Sequence, residues 1–159
     1  MPQPSEQIFK PQEERKIMGH ITLAQANQII AGAFAKAEEL ALKPLGVVVL
    51  DAGGHPIAFQ RQDRASSGRF QLAAGKAAGA LFLGLSSRRI GEMAAERPTF
   101  IASLGPIAPA GLIPAAGGVL VVNESGATIG AVGISGDLSD NDELCALAGI
   151  EAAGLSDSS

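Results

Sequence analysis

The chain has 159 residues, 47% of them hydrophobic, and a formal net charge of −4 at neutral pH. That length suits one domain with a workable core, and the composition excludes a disordered chain. No apolar run approaches the ~18 residues of a membrane span, and scattered Lys and Arg without a single Trp or Tyr argue against nucleic acid as a partner.

Residues 1–19 read as an extended N-terminal arm. They carry Lys10, Arg15 and Lys16 but no apolar block behind them, unlike a secretory signal, so a cytoplasmic setting is the expectation. Residues 20–159 read as one domain. In "HITLAQANQIIAGAFAKAEELALK", Thr22 and Gln25 have capping-box spacing, and Leu23, Ala26, Ile30, Ala33, Ala37 and Leu40 form an amphipathic stripe. Pro44 ends that helix. "LGVVVLD", the turn Ala52-Gly53-Gly54-His55 and "PIAFQRQ" predict a hairpin.

"GRFQLAAGKAAGALFLGL" predicts a helix in which Gly75 and Gly79 allow another backbone to approach. Ser87 is the expected cap of a short helix through Ala95, bounded by Pro98, and residues 102–116 are punctuated by Pro and Gly. "GVLVVN", "ESG" and "ATIGAVGI" predict a second hairpin. A last helix is expected from about Ser139 to Ala153, closed by Gly154 and Leu155 in a Schellman end. Hairpin-linked strands imply an α+β fold, an antiparallel sheet of about five strands with helices on its faces. Twenty glycines and six phenylalanines as the only aromatics suit a chain that gains core by packing against copies of itself, so a homo-oligomer is expected.

Most chemical motifs fail on spacing. Gly75-Lys76 lacks the Walker pattern, and Gly130, Gly133 and Gly136 follow GxxGxxG on a hairpin strand, not the dinucleotide fingerprint. Asp137, Asp140, Asp142 and Glu143 lack the glycine of a calcium loop; acids there either favour the start of the last helix or face a ligand. His20 and His55 have no partner at metal-ligand spacing, so no metal is expected. Cys145 lies among apolar residues and reads as a buried structural thiol. Arg69 and Lys76, seven apart on one helix face, either lie at its solvent edge or hold a carboxylate; Arg61, Arg88 and Arg89 are further cations. A desolvated Lys76 could also act as a base.

Taken in order, "VVVLDAGGHPIAFQRQD", "AAGKAAGA", "PAAGGVLV" and "GAVGISGDLSDNDELCALAG" resemble the HbpS/GlcG family, which also supplies the C-terminal domain of PduO-type proteins. The resemblance covers roughly residues 20–155. It implies a profilin-like α/β/α fold, assembly as dimers or larger oligomers, haem as a cofactor and a role accessory to a catabolic pathway. It carries over to Asp51, Gly53, Gly54, Arg61, Lys76, Gly117, Gly118, Gly130, Gly133, Ser135, Gly136 and Asp142, the glycines reading as turns.

Two functions follow as expectations. The first is an oligomeric protein binding haem or another anionic cofactor or metabolite, with Arg61, Arg69, Lys76, Gly117, Gly118, Ser135 and Asp142 at the ligand and His20 or His55 on iron. The second is an isomerase, tautomerase or hydratase acting on a small oxo- or hydroxy-carboxylate, with Lys76 and Glu143 moving the proton. Neither uses a membrane or nucleic acid.

Overall fold

The computed structural model describes residues 19–159; the N-terminal arm up to residue 18 lies outside them. Helix α1, Leu23–Glu39, begins at the capping box, with Thr22 Oγ1 accepting from the Gln25 N–H and the Gln25 side chain accepting from the Thr22 N–H. Ala26, Ile30, Ala33 and Ala37 are buried, while Leu23 and Leu40 at the ends of the stripe are exposed. The helix ends in a Schellman turn, with the Leu42 N–H on the Ala37 carbonyl and the Ala41 N–H on the Glu38 carbonyl.

Ala41 occupies the left-handed position of that turn, at φ 51°. An L-residue there costs about 1–2 kcal/mol, more than the 0.5–1 kcal/mol that glycine loses in chain entropy. Ala41→Gly is therefore expected to raise the melting temperature by about 1–2 °C. A fall in a thermal melt would contradict this account of the turn.

Strands β1 (Gly46–Asp51) and β2 (Pro56–Arg61) form the first hairpin, with Gly54 supplying a positive φ. Strands β3 (Gly118–Val122) and β4 (Thr128–Ser135) form the second. The fifth strand of the expected sheet, β5 (Ser156–Asp157), follows the last helix, where no strand was expected, and pairs with β3. The sheet is wholly antiparallel in the order β2-β1-β4-β3-β5, so β4 lies at its centre.

Helix α1 and helix α5 (Ser139–Ala152) cover one face, burying Val47, Val49, Val121, Val132 and Ile134 against Ile29, Ile30, Cys145 and Ile150. Helix α2 (Arg69–Leu83) covers the other, with Ala73, Ala77 and Ala80 on Val48, Leu50, Leu120 and Ala131. This is the expected α/β/α layering. The Schellman end of α5 is present, with the Leu155 N–H on the Ile150 carbonyl.

Three local expectations need correction. Ser86 caps α3 (Ser87–Glu96), and Ser87 is its first residue, buried with its Oγ accepting from the Gly118 N–H at 2.7 Å. Pro98 does not merely bound α3; it opens a further helix, α4 (Pro98–Leu104), continued by a 3₁₀ turn, Gly105–Ile107, because proline suits a first helical turn. Gly118, Gly130 and Gly133 are not turn glycines, since all three lie within strands. A Cβ on Gly133 would overlap the Ala73 carbonyl oxygen, and one on Gly118 the Lys76 carbonyl oxygen. Helix α2 thus rests backbone to backbone on the sheet. Its other side is covered by the segment containing Leu112 and Ile113, which lies against Gly79 and Gly75 as their spacing predicts.

Candidate functional site

Antiparallel pairing sorts the candidate residues into two sets. Gly46 pairs with both Arg61 and Ser135 at one end of the sheet, and Asp51 pairs with Gly130 toward the other. About 17 Å of strand separates Gly130 from Ser135.

At the Ser135 end, the two cations of α2 meet the last residues of β4. Arg69 Nη1 donates to Ser135 Oγ at 3.1 Å. Lys76 Nζ donates to the Ile134 carbonyl oxygen and to Asp142 Oδ2, both at 3.0 Å. Lys76 is 4% and Asp142 1% exposed. Burial pushes the Asp142 carboxyl up from the usual aspartate value, opposed by the charge of Lys76. Its other oxygen accepts from the Asp137 N–H. Gly117, at φ 124°, leaves room for the ammonium, since a Cβ there would stand 3.0 Å from Nζ. Arg61, Arg69, Lys76, Gly117, Gly118, Ser135 and Asp142 are therefore gathered at one end of the sheet.

Lys76 and Glu143 face different partners. Glu143 accepts from Arg88 Nε with both oxygens, at 2.9 and 3.1 Å, and Arg88 Nη2 also reaches Asp140 at 2.6 Å. These two acids hold the Arg88 guanidinium above its ordinary pKa.

The charges that remain without an acid are informative. Among the described residues, neither Arg61 nor Arg69 has a carboxylate at ion-pair distance. Arg69 opens α2, whose first turn holds no acidic residue. Beside it Phe70 meets Phe59 edge to face, with ring centroids 4.9 Å apart, and Phe59 lies two residues before Arg61 on the same face of β2. This cation–aromatic corner escaped the sequence reading for its aromatic half: only the β1–β2 register and the seating of α2 bring Phe59 to Phe70. An open cleft of about 500 Å³ lies next to it, lined by Leu42, Pro44, Arg61, Gln62 and Asp63.

His55 lies at the opposite end, in the first hairpin turn, 80% exposed, with Nδ1 3.3 Å from Asp51 Oδ1. With the Asp51 carboxylate on one ring nitrogen, the rest of the imidazole faces solvent. Asp51 itself accepts from the Gly53 and His55 N–H groups, and the His55 backbone bond is the main cause of its lowered pKa. His20 is exposed and flanks the start of β4: a Cβ on the preceding Gly19 would touch Ile129 and Asn123, and Ile21 lies against Gly130. Cys145 is buried, and desolvation pushes its thiol up to about 11. No group of three or more metal-ligating side chains is gathered among the described residues, and no described helix is long and apolar enough to cross a membrane.

Asp137 ties the loop after β4 to the rest of the domain. It accepts from Asn141 Nδ2, the Lys43 N–H and the Leu138 N–H, and these bonds hold its pKa below 3.8, Asn141 contributing most. Stability from this carboxylate is present above the unfolded value and lost as pH falls through the lowered folded value. Asp137→Asn is expected to destabilise the protein at pH 7 by a margin that narrows under acid. Equal margins at pH 7 and pH 3 in urea titrations would sink the charge-based explanation.

The fold and its sites define an α+β protein with a single antiparallel sheet between helical layers and an uncompensated cationic corner at one sheet end. The family model described as "Haem degrading protein HbpS-like" matches residues 21–151, and the chain belongs to this HbpS-like family. Among solved structures, a PduOC–heme complex superimposes with a TM-score of 0.76 at 22% identity, covering 86% of this chain and 97% of that one. Protein ORFY of Klebsiella pneumoniae gives a TM-score of 0.75 at 29% identity, covering 84% and 90%. A double mutant of HbpS from Streptomyces reticuli gives 0.72 at 25%, covering 94% and 97%. No protein of curated function matches the chain significantly.

Proposed function

We propose that the protein is an oligomeric binder of haem or a similar planar, carboxylated ligand, held at the corner formed by Arg61, Arg69, Phe59 and Phe70. The observation that carries this reading is Arg69, half-buried, with a hydroxyl for a partner and no carboxylate among the described residues. A propionate would complete its charge through a bidentate pair, and the phenylalanine edges suit an apolar ring system. Family membership points the same way, since the relative PduOC is described in complex with heme. The chemistry haem would supply is that of its iron, for which His20 and His55 offer imidazole. Both lie too far from Arg69 to serve the same ligand within one chain, so a ligand using both ends would lie between copies.

Hemin titration tests this. Saturable binding with a Soret shift is expected, weaker by about tenfold or more in Arg61→Ala/Arg69→Ala, as for loss of charge-assisted bonds. The dimethyl ester of the porphyrin should bind the native protein no better than hemin binds that variant. Undiminished binding by the variant, or no saturable binding at all, refutes the proposal. A Soret band unchanged in His20→Ala/His55→Ala would remove histidine as the iron ligand while leaving the carboxylate grip.

A further inference from the structure

Helix α2 sends two cations to neighbouring residues of one strand end: Lys76 Nζ to the Ile134 carbonyl, and Arg69 Nη1 to the Ser135 hydroxyl. On the far side, Asp142 of α5 accepts from Lys76 and from the backbone N–H of Asp137. Ile134, Ser135 and Asp137 are thus each tied to one of three side chains. Lys76 and Asp142 are too deeply buried to meet a ligand in solvent. Ser135 is also buried, at 3% exposure, so its hydroxyl position follows the backbone that the pair holds.

We infer that Lys76 and Asp142 are positioning residues: their ion pair fixes the 134–137 strand end and thereby the Ser135 hydroxyl that aims Arg69 at its ligand. This rests on the reading that Arg69 grips a carboxylate. Lys76 and Asp142 then leave the set of direct ligand contacts, and Ser135 becomes the link between the buried pair and the arginine. Two ties on adjacent residues explain why both cations share one helix face: they clamp a single short stretch of β4.

The test is a mutant cycle read by hemin affinity. Lys76→Met/Asp142→Asn removes both charges and keeps the oxygen that receives the Asp137 N–H. It is expected to remain folded by circular dichroism and to bind hemin about tenfold weaker, within the usual range of coupling between side chains of one network. Added to Arg69→Ala, it should cause no further loss, because the pair acts only through Arg69. Losses that multiply overturn the inference, as does full affinity in the double variant while Arg69→Ala alone is impaired. Should the double variant fail to fold, Ser135→Ala interrupts the same link at a small residue. It too should weaken hemin binding only when Arg69 is present, and native affinity in Ser135→Ala is a negative result. If Arg69→Ala alone binds hemin normally, the carboxylate grip fails, and this inference fails with it.

Discussion

Lys76→Met is expected to lower the melting temperature by on the order of 10 °C, and adding Asp142→Asn should restore much of that loss. The single change leaves a carboxylate in the interior without its counter-charge, at a typical cost of 3–5 kcal/mol, and each kcal/mol shifts the melt by about 2–4 °C in a chain of this size. Asp142 is 1% exposed and cannot turn to water in place. Protonation offers partial relief, because desolvation already pushes its pKa up. The single variant should therefore be less impaired as pH is lowered, because the folded state can take up the proton that relieves the buried charge. In the double variant no ion remains to be desolvated, and the asparagine oxygen still receives the Asp137 N–H. Differential scanning calorimetry of the three proteins decides the matter. A single variant that melts with the native protein would mean the pair is not buried as an ion pair. A double variant as unstable as the single would mean that the carboxylate charge is not what the lysine compensates.

This outcome also bears on the proton-transfer alternative, in which Lys76 is the base. A lysine that holds Asp142 and a strand carbonyl has a structural duty that cannot be removed silently. A base would have to leave both partners to reach a substrate. Glu143, the other acid–base candidate, is engaged by Arg88 on the surface of the domain.

Local chemistry made much of the scaffold legible. Thr22 and Gln25 announce the start of α1 because a capping box is closed within three residues. Gly154 and Leu155 announce the end of α5 for the same reason, and Gly54 marks its hairpin through a φ that other residues avoid. The pairing of Lys76 with Asp142, 66 residues away, has no such local trace. The resemblance brought both residues forward, but only the stacking of α2 and α5 on opposite faces of β4 makes them partners. Phe59 and Phe70 were silent because each is an ordinary apolar residue of its own element. Strand β5 was missed because two residues carry no periodicity, and α4 because its opening proline reads as readily as a terminator as it does as a first turn. Gly118 and Gly133 were visible, yet their meaning was inverted: they admit a helix rather than turn the chain.

Gly133→Ala tests that last point and should be among the most damaging single-methyl additions to the domain. Gly133 lies on the central strand, paired with Val48 of β1 on one side and Gly118 of β3 on the other, so the strand cannot yield sideways. The new methyl would meet the Ala73 carbonyl oxygen, which is backbone and has no rotamer to change. Helix α2 would have to rise, but Ile113 and Leu112 already lie against its outer side at Gly75 and Gly79. With both directions closed, the cost should reach the upper end of the range for overpacking, about 3 kcal/mol, or roughly 6–12 °C in a thermal melt. Ala77→Gly should rescue little, although the Ala77 methyl also lies near that position, at 2.9 Å, because the main obstacle is the carbonyl. Recovery by Ala77→Gly would show instead that side-chain crowding dominates. Any lift of α2 moves Arg69 and Lys76 together, since both ride on it. Hemin affinity should therefore fall in Gly133→Ala even under conditions where the protein remains folded. A variant that melts within 2 °C of the native protein and binds hemin equally well would rule out the backbone seat of α2.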